Sequence, residues 1–382
     1  MMKGCEGKRQ AANDDFITVD VTKSYFQKKG LILQDFMDVE YVVLETSDDF
    51  LCQGLVDDIG EDFIIVRNNI PDGNIFVFDR KGQAIRKINR AGQGPEEYSR
   101  YCIFGGIRLD EDNNEMFVNN SACGSIIVYD LSGNFKRKLK HDKSVGILHN
   151  SSIATPFYEK IFNYDRDNLI CYLHFTDKIT FVIISKQDGS ITKVIDVPFK
   201  EKLLLRHRDA TANPGFPIHE IIPNNNNWLL SEISSDTIYT FLPDYSLQPF
   251  IVRTPSIQSM DPEVALILRL VSDRYFFMET IKNEFNFNTG RGFTRTFMMY
   301  DTREKAFFGY VVYNGDYSTK KEIYMNVLRP VNHEIESWQP IEAYQLVESY
   351  KKEELKDGKL KDIAATLDAE DNAVIMLIKH QK

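Results

Sequence analysis

The chain contains no run of 18 or so consecutive apolar residues, so no segment qualifies as a membrane-spanning helix. It has no Lys/Arg block and no basic stripe interleaved with aromatics. With a formal net charge of −10, that excludes a general phosphate-binding face, and nucleic acid is not an expected partner. CxxC pairs are absent too. The five cysteines (Cys5, Cys52, Cys102, Cys123, Cys171) are scattered, which argues against a zinc site or a disulfide framework. Cys102 and Cys123 could pair, or serve as small buried apolar groups. The seven histidines show no HxH or HExxH spacing, no GxSxG elbow occurs, and no Gly-rich loop ends in Lys-Ser/Thr. Accordingly no catalytic residue, no metal ligand and no cofactor is assigned, and an enzyme is not the favoured reading.

What the chain does have is strand material and a repeat. Of 382 residues 43% are apolar and 12% aromatic, and aromatics favour pleated, half-buried surfaces. Asp62–Val66, a turn, Ile75–Asp79, Arg80-Lys-Gly82 and Ala84–Ile88 form one unit. Glu115–Val118, a turn, Ser125–Asp130, Leu131-Ser-Gly133 and Phe135–Leu139 form the next. Each has two apolar strands, an Asp-x-x-Gly turn and an edge strand alternating apolar with Lys/Arg. Three more copies follow with drift, at Asn168–Ile195, Asn227–Val252 and Tyr275–Val311. Such a period is the signature of propeller blades. The expected fold is all-β, a six-bladed β-propeller with two short helical insertions and a ring closed by N- and C-terminal strands. A sixth blade is assembled by pairing Phe16–Val21 with Asn372–Ile378, while blade 1 opens at Glu40–Glu45. The helical insertions are placed at Pro262–Leu270, after an Asp261 cap, and at Pro340–Leu355 with Lys359–Leu367. The latter pair either covers one mouth of the ring or caps the last blade. Residues 1–15 read as a disordered linker and 16–382 as a single propeller domain.

The segment Ile88–Tyr98 (INRAGQGPEEY), followed by Ile107–Asp110, Met116–Val118 and Ile126–Asp130, resembles an NHL repeat, with Asn119 where that pattern usually has Asp. The whole chain resembles the six-bladed β-propeller proteins of the Bacteroides type, many of them predicted lipoproteins. The likeness lies in Val39–Leu51, the GQGPEEY link, Ile341–Leu367 and Asp371–His380. It implies export to the periplasm or outer-membrane surface. The first residues, Met1–Asn13, lack the apolar core of a signal peptide. Gly4-Cys5 before a polar stretch looks like the surroundings of a lipoprotein cysteine whose signal is gone, which makes Cys5 a candidate lipid-attachment site; the alternative is a chance cysteine in a tail. The membrane is expected only through that anchor, and the protein is expected to be a monomer.

Propellers use loops and first strands at one end of the channel to bind ligands. The long inter-blade stretches 149–164, 200–220, 283–295 and 313–338 supply the candidate ligand-binding residues Arg206, His207, Arg208, His219, Arg295, Arg329 and Trp338. Arg206-His-Arg208 is a basic cluster suited to an anionic ligand; solvated loop residues are the alternative. The expected function is an extracytoplasmic binding or scaffolding propeller that takes a glycan, peptide or envelope protein on one face. The alternative is a carbohydrate-active hydrolase or lyase with its site at the channel mouth.

Overall fold

Local chemistry sets the blades. Asp79 accepts backbone N–H bonds from Lys81 and Gln83 at 2.8 Å each, and Asp130 does the same for Ser132 and Asn134 at 2.9 and 2.8 Å. Gly82 and Gly133 follow at φ 86° and 83°, a left-handed conformation that other residues adopt only with strain. The two Asp-x-x-Gly motifs are thus the turns between the third and fourth strands of two blades.

A computed structural model describes residues 16–101, 106–142, 157–173, 176, 178–203, 205, 218–284 and 293–381. Three strands near the N-terminus, β1 (Ile17–Asp20), β2 (Lys28–Ile32) and β3 (Asp38–Val43), precede the repeats. Blade 1 is β4 (Leu55–Ile59), β5 (Phe63–Arg67), β6 (Asn74–Asp79) and β7 (Ala84–Asn89). Blade 2 is β8 (Ile107–Asp110), β9 (Glu115–Asn120), β10 (Ser125–Asp130) and β11 (Phe135–Lys140). Blade 3 is β12 (Tyr158–Asn163), β13 (Asn168–Leu173), β14 (Phe181–Ser185) and β15 (Ile191–Ile195). Blade 4 is β16 (Ile221–Asn224), β17 (Asn227–Leu230), β18 (Thr237–Phe241) and β19 (Leu247–Thr254). Blade 5 is β20 (Val264–Val271), β21 (Tyr275–Lys282), β22 (Arg295–Asp301) and β23 (Ala306–Tyr313), with β24 (Glu322–Ile323) on β23. Blade 6 is β25 (Ile335–Ile341) and β26 (Val374–Lys379), completed by β3. Between β25 and β26 lie the helices α1 (Ala343–Lys351) and α2 (Lys359–Ala364).

The chain is therefore a six-bladed β-propeller. Its innermost strands are β4, β8, β12, β16, β20 and β25, and β4 touches both β8 and β25 around the axis. Each neighbouring pair of blades encloses its own apolar core. Ile65, Val77, Ile107 and Val118 fill the gap between blades 1 and 2, and Val56, Phe76, Trp338 and Ile375 fill the gap between blades 6 and 1. Fully burying each such side chain contributes about 1.5–3 kcal/mol, so the ring is held by six sandwiched layers rather than one centre.

Three expectations need correction. Phe16–Val21 does not meet the C-terminal strand: β1 lies parallel on β19, and β2 lies parallel on β23. The strand that closes the ring is β3, antiparallel to β26 with Val43 opposite Val374 and Asp38 opposite Lys379. Glu40–Glu45 thus belongs to blade 6, and blade 1 opens at Leu55. Pro262–Leu270 is not a helix but the inner strand β20, paired with β21. Every residue of β20 is buried and all but Arg269 are apolar, so the sequence carries no period that separates helix from strand. The helices α1 and α2 and the turn between them pack Leu346, Leu360 and Leu355 against Phe36, Met37 and Phe277 between blades 5 and 6. They cap the last blade, not the channel. Among the cysteines, Cys52 and Cys171 are buried while Cys123 is exposed; Cys102 lies outside the described residues.

Candidate functional site

Arg100, Tyr101, Gly106 and the first strands of blades 1 to 4 surround a cavity of ≈ 450 Å³ on the ring axis. That is within the range of small-molecule sites, about 300–1,000 Å³. Blades 1, 2, 3, 4 and 6 contribute from or beside their first two strands, so the site follows directly from the radial order of the sheets.

Blade 1 supplies Asp57 from β4 and Arg67 from β5. They form a two-pronged ion pair, with Arg67 Nη2 donating to Asp57 Oδ1 at 2.8 Å and Nε to Oδ2. Blade 2 supplies Arg108 from β8. Its guanidinium donates to the carbonyls of Ile161 at 2.7 Å and Asp57 at 2.5 Å, and lies 4.2 Å from the centre of the Phe162 ring. These contacts hold the head group rigid across three blades. Behind it, burial pushes the Asp58 carboxyl up to about 6, although Arg108 opposes the shift.

Blade 3 supplies Lys160 from β12, half-buried and without an ion-pair partner among the described residues. Blade 4 begins with His219 and Glu220, just before β16. His219 Nε2 lies 2.6 Å from the Leu328 carbonyl oxygen, so that nitrogen carries the proton and donates. Burial, then Arg269 and Lys160, holds its pKa far below the ordinary imidazole value, and the ring is neutral. Glu220 is 2% exposed and lines the cavity, and its Oε2 has no hydrogen-bond partner among the described residues. Burial, and next the nearby Glu159, pushes its carboxyl up to about 8 despite Lys160. Both causes favour its acid form over the carboxylate.

Blade 6 adds Trp338 from β25 and Arg329 from the segment before it. The Ser337 hydroxyl fastens Arg329 on both sides, accepting from its N–H and donating to its carbonyl at 2.9 Å each, while the side chain stays exposed. The same segment crosses the channel. Leu328 meets His219 of blade 4, Asn332 Nδ2 donates to the Ile59 carbonyl of blade 1 at 2.7 Å, and the His333 ring lies 4.8 Å from Trp228. Ile59 and Trp228 sit at the far ends of their strands, so this segment floors the cavity.

Of the residues expected from sequence, His219, Arg329 and Trp338 converge on the cavity. Arg295 does not line it; its guanidinium pairs with Glu279 inside blade 5, Nε to Oε2 at 2.7 Å. Arg206, His207, Arg208 and Cys5 lie outside the described residues. Sequence reasoning missed Arg67, Arg108, Lys160 and Glu220. The available signal was a charge set in or beside the apolar inner strands, as in Ile107-Arg-Leu-Asp110 and Glu159-Lys-Ile161. Among the described residues, no group of three or more His, Cys, Asp or Glu could hold a metal ion.

A domain family of unknown function, DUF4934, matches residues 16–379. The chain belongs to the DUF4934 family. Among solved structures, a candidate exported protein of Bacteroides fragilis is similar at TM-score 0.56 and 14% identity, over 93% of this chain and 99% of that one. A DUF4221 family member from Bacteroides vulgatus is similar at TM-score 0.48 and 11% identity, over 91% and 100%. The first of these likenesses concerns the fold of the DUF4934 chain. No curated protein matches it.

Proposed function

We propose that this propeller binds an anionic small molecule with a sugar-like body, such as a uronic acid, in the central cavity. One observation carries the reading: five cations (Arg67, Arg100, Arg108, Lys160, Arg329) line the cavity against two carboxylates, in a chain of net charge −10. Asp57 is already matched by Arg67, and Glu220 is uncharged at neutral pH, so the excess is cationic. Rim aromatics such as Tyr101, 63% exposed, offer flat apolar area for the C–H face of a ring. Calorimetric titration with galacturonate and galactose tests this, since the two differ in a single carboxylate. Galacturonate is expected to bind about tenfold or more tightly, a gap of about 1.4 kcal/mol that shrinks with added salt. Equal affinity for both sugars, or none for either, would sink the reading.

We further infer that the protein acts outside the cytoplasm, anchored at Cys5. Supporting this are Gly4-Cys5 before a polar stretch and the name of the similar Bacteroides fragilis protein. Cell fractionation checks it: recovery in the cytosol would rule it out. One observation favours a second reading, a carbohydrate-active hydrolase or lyase. Glu220 is a carboxyl kept protonated in an enclosed site, which is what a general acid requires. Product formation from an acidic oligosaccharide would establish it.

A further inference from the structure

Glu220 differs from Glu232 and Asp58, two other buried acids of the ring. Glu232 is equally buried, yet it accepts from Lys202 at 2.7 Å, Ser234 Oγ at 2.6 Å and the Tyr172 hydroxyl at 3.2 Å. Asp58 accepts from the Leu109 N–H at 2.8 Å. Glu220 Oε2 has no such partner among the described residues, and its residue lines the cavity wall. A buried polar atom left unpaired costs about 1–3 kcal/mol, so it calls for a partner that enters from the cavity. The charges that act on it are Glu159 and Lys160 of β12, Glu232 after β17, and Arg269 of β20; the Tyr172 hydroxyl of β13 also feels its charge. Glu159 and Glu232 disfavour its ionisation, and Lys160 alone in the cavity wall opposes them.

We propose that Glu220 is the specificity-determining donor of the cavity: it stays a neutral carboxylic acid and hydrogen-bonds through its proton to an oxygen of the ligand's own carboxylate. This rests on the anionic-ligand reading above. Lys160 supplies the charge and Glu220 supplies direction. An acid-to-carboxylate hydrogen bond is charge-assisted and about twice as strong as a neutral one. A neutral sugar forgoes it. When Glu220 loses its proton the donor becomes a repelling anion, so affinity falls as pH rises through about 8.

The test is galacturonate affinity across pH in the wild type, Glu220→Gln and Glu220→Ala, with the infrared carbonyl band of a protonated carboxyl as a second readout. Gln keeps an N–H donor and cannot ionise. Wild-type affinity is expected to drop about tenfold or more above pH 8. Glu220→Gln should hold its affinity at both ends, and Glu220→Ala should be weak throughout. At neutral pH the wild type should show the band that Glu220→Gln lacks. A Glu220→Gln variant that keeps the wild type's fall in affinity above pH 8 overturns the inference. Galacturonate binding without the band overturns the inference alone. The band without galacturonate binding overturns it together with the ligand class.

Discussion

Blade 5 and the wall of the central cavity both bury charge near the axis, and they treat it in opposite ways. In blade 5, Glu279 of β21 is 0% exposed and meets two guanidiniums: Arg269 of β20 through Nη2, and Arg295 of β22 through Nε and Nη2. Both carboxylate oxygens are paired and three strands are cross-linked, which leaves Glu279 no oxygen for a ligand. In the cavity, Glu220 has an oxygen without a partner and Lys160 an ammonium without a counter-ion among the described residues. A carboxylate with both oxygens paired reads as architecture, and one with an unpartnered oxygen beside a void reads as a site. The same contrast explains why Arg295 and Arg329, alike as long-loop arginines in sequence, part company in the fold.

That contrast can be broken from either side. Removing the shared acid with Glu279→Ala strands the buried Arg269 guanidinium and leaves the half-buried Arg295 without its partner. It should cost about 3–5 kcal/mol in chemical denaturation, whereas a loss under about 1 kcal/mol would mean that the blade 5 cluster is not structural. The cavity side predicts the reverse pattern at smaller size. Lys160→Met keeps the apolar stem and removes the charge. It should weaken galacturonate binding about tenfold, near 1.4 kcal/mol, and move folding stability by no more than about 0.5 kcal/mol. Arg329→Ala should behave alike, because its side chain is exposed and its loop is tied through backbone to Ser337. If either variant unfolds the protein instead of emptying the site, the division between the two regions fails.

Much of the fold was legible because blade signals are local. The Asp79 and Asp130 turns, their glycines and the alternating edge strands β7 and β11 each depend on residues a few positions apart. The link Gly92-Gln-Gly-Pro-Glu-Glu-Tyr98 was legible as a connector too. It joins β7 to β8 and buries Tyr98, whose hydroxyl donates to the Gly73 carbonyl at 2.7 Å. Ring closure was legible in principle and misassigned in detail. Phe16–Val21 and Asp38–Val43 are both short apolar strands, and nothing within either says which partner waits at the far end of the chain. The inner strand β20 was misread for a different reason: apolar residues on both faces erase the alternation that marks a strand.

What the sequence determined by itself was the architecture: strand content, blade period, turn chemistry and the need to join the two ends. Those follow from the period-2 patterning and turn residues of each segment, which act over a few residues. Only the tertiary structure decided which strand closes the ring, which segment floors the channel and which charges are left unsatisfied. Lys160 and Glu220 stand about 60 positions apart in the chain, and their meeting in the wall of one cavity depends on two blades coming together at the axis. Burial and proximity set the protonation of a carboxyl, and both are properties of the closed ring.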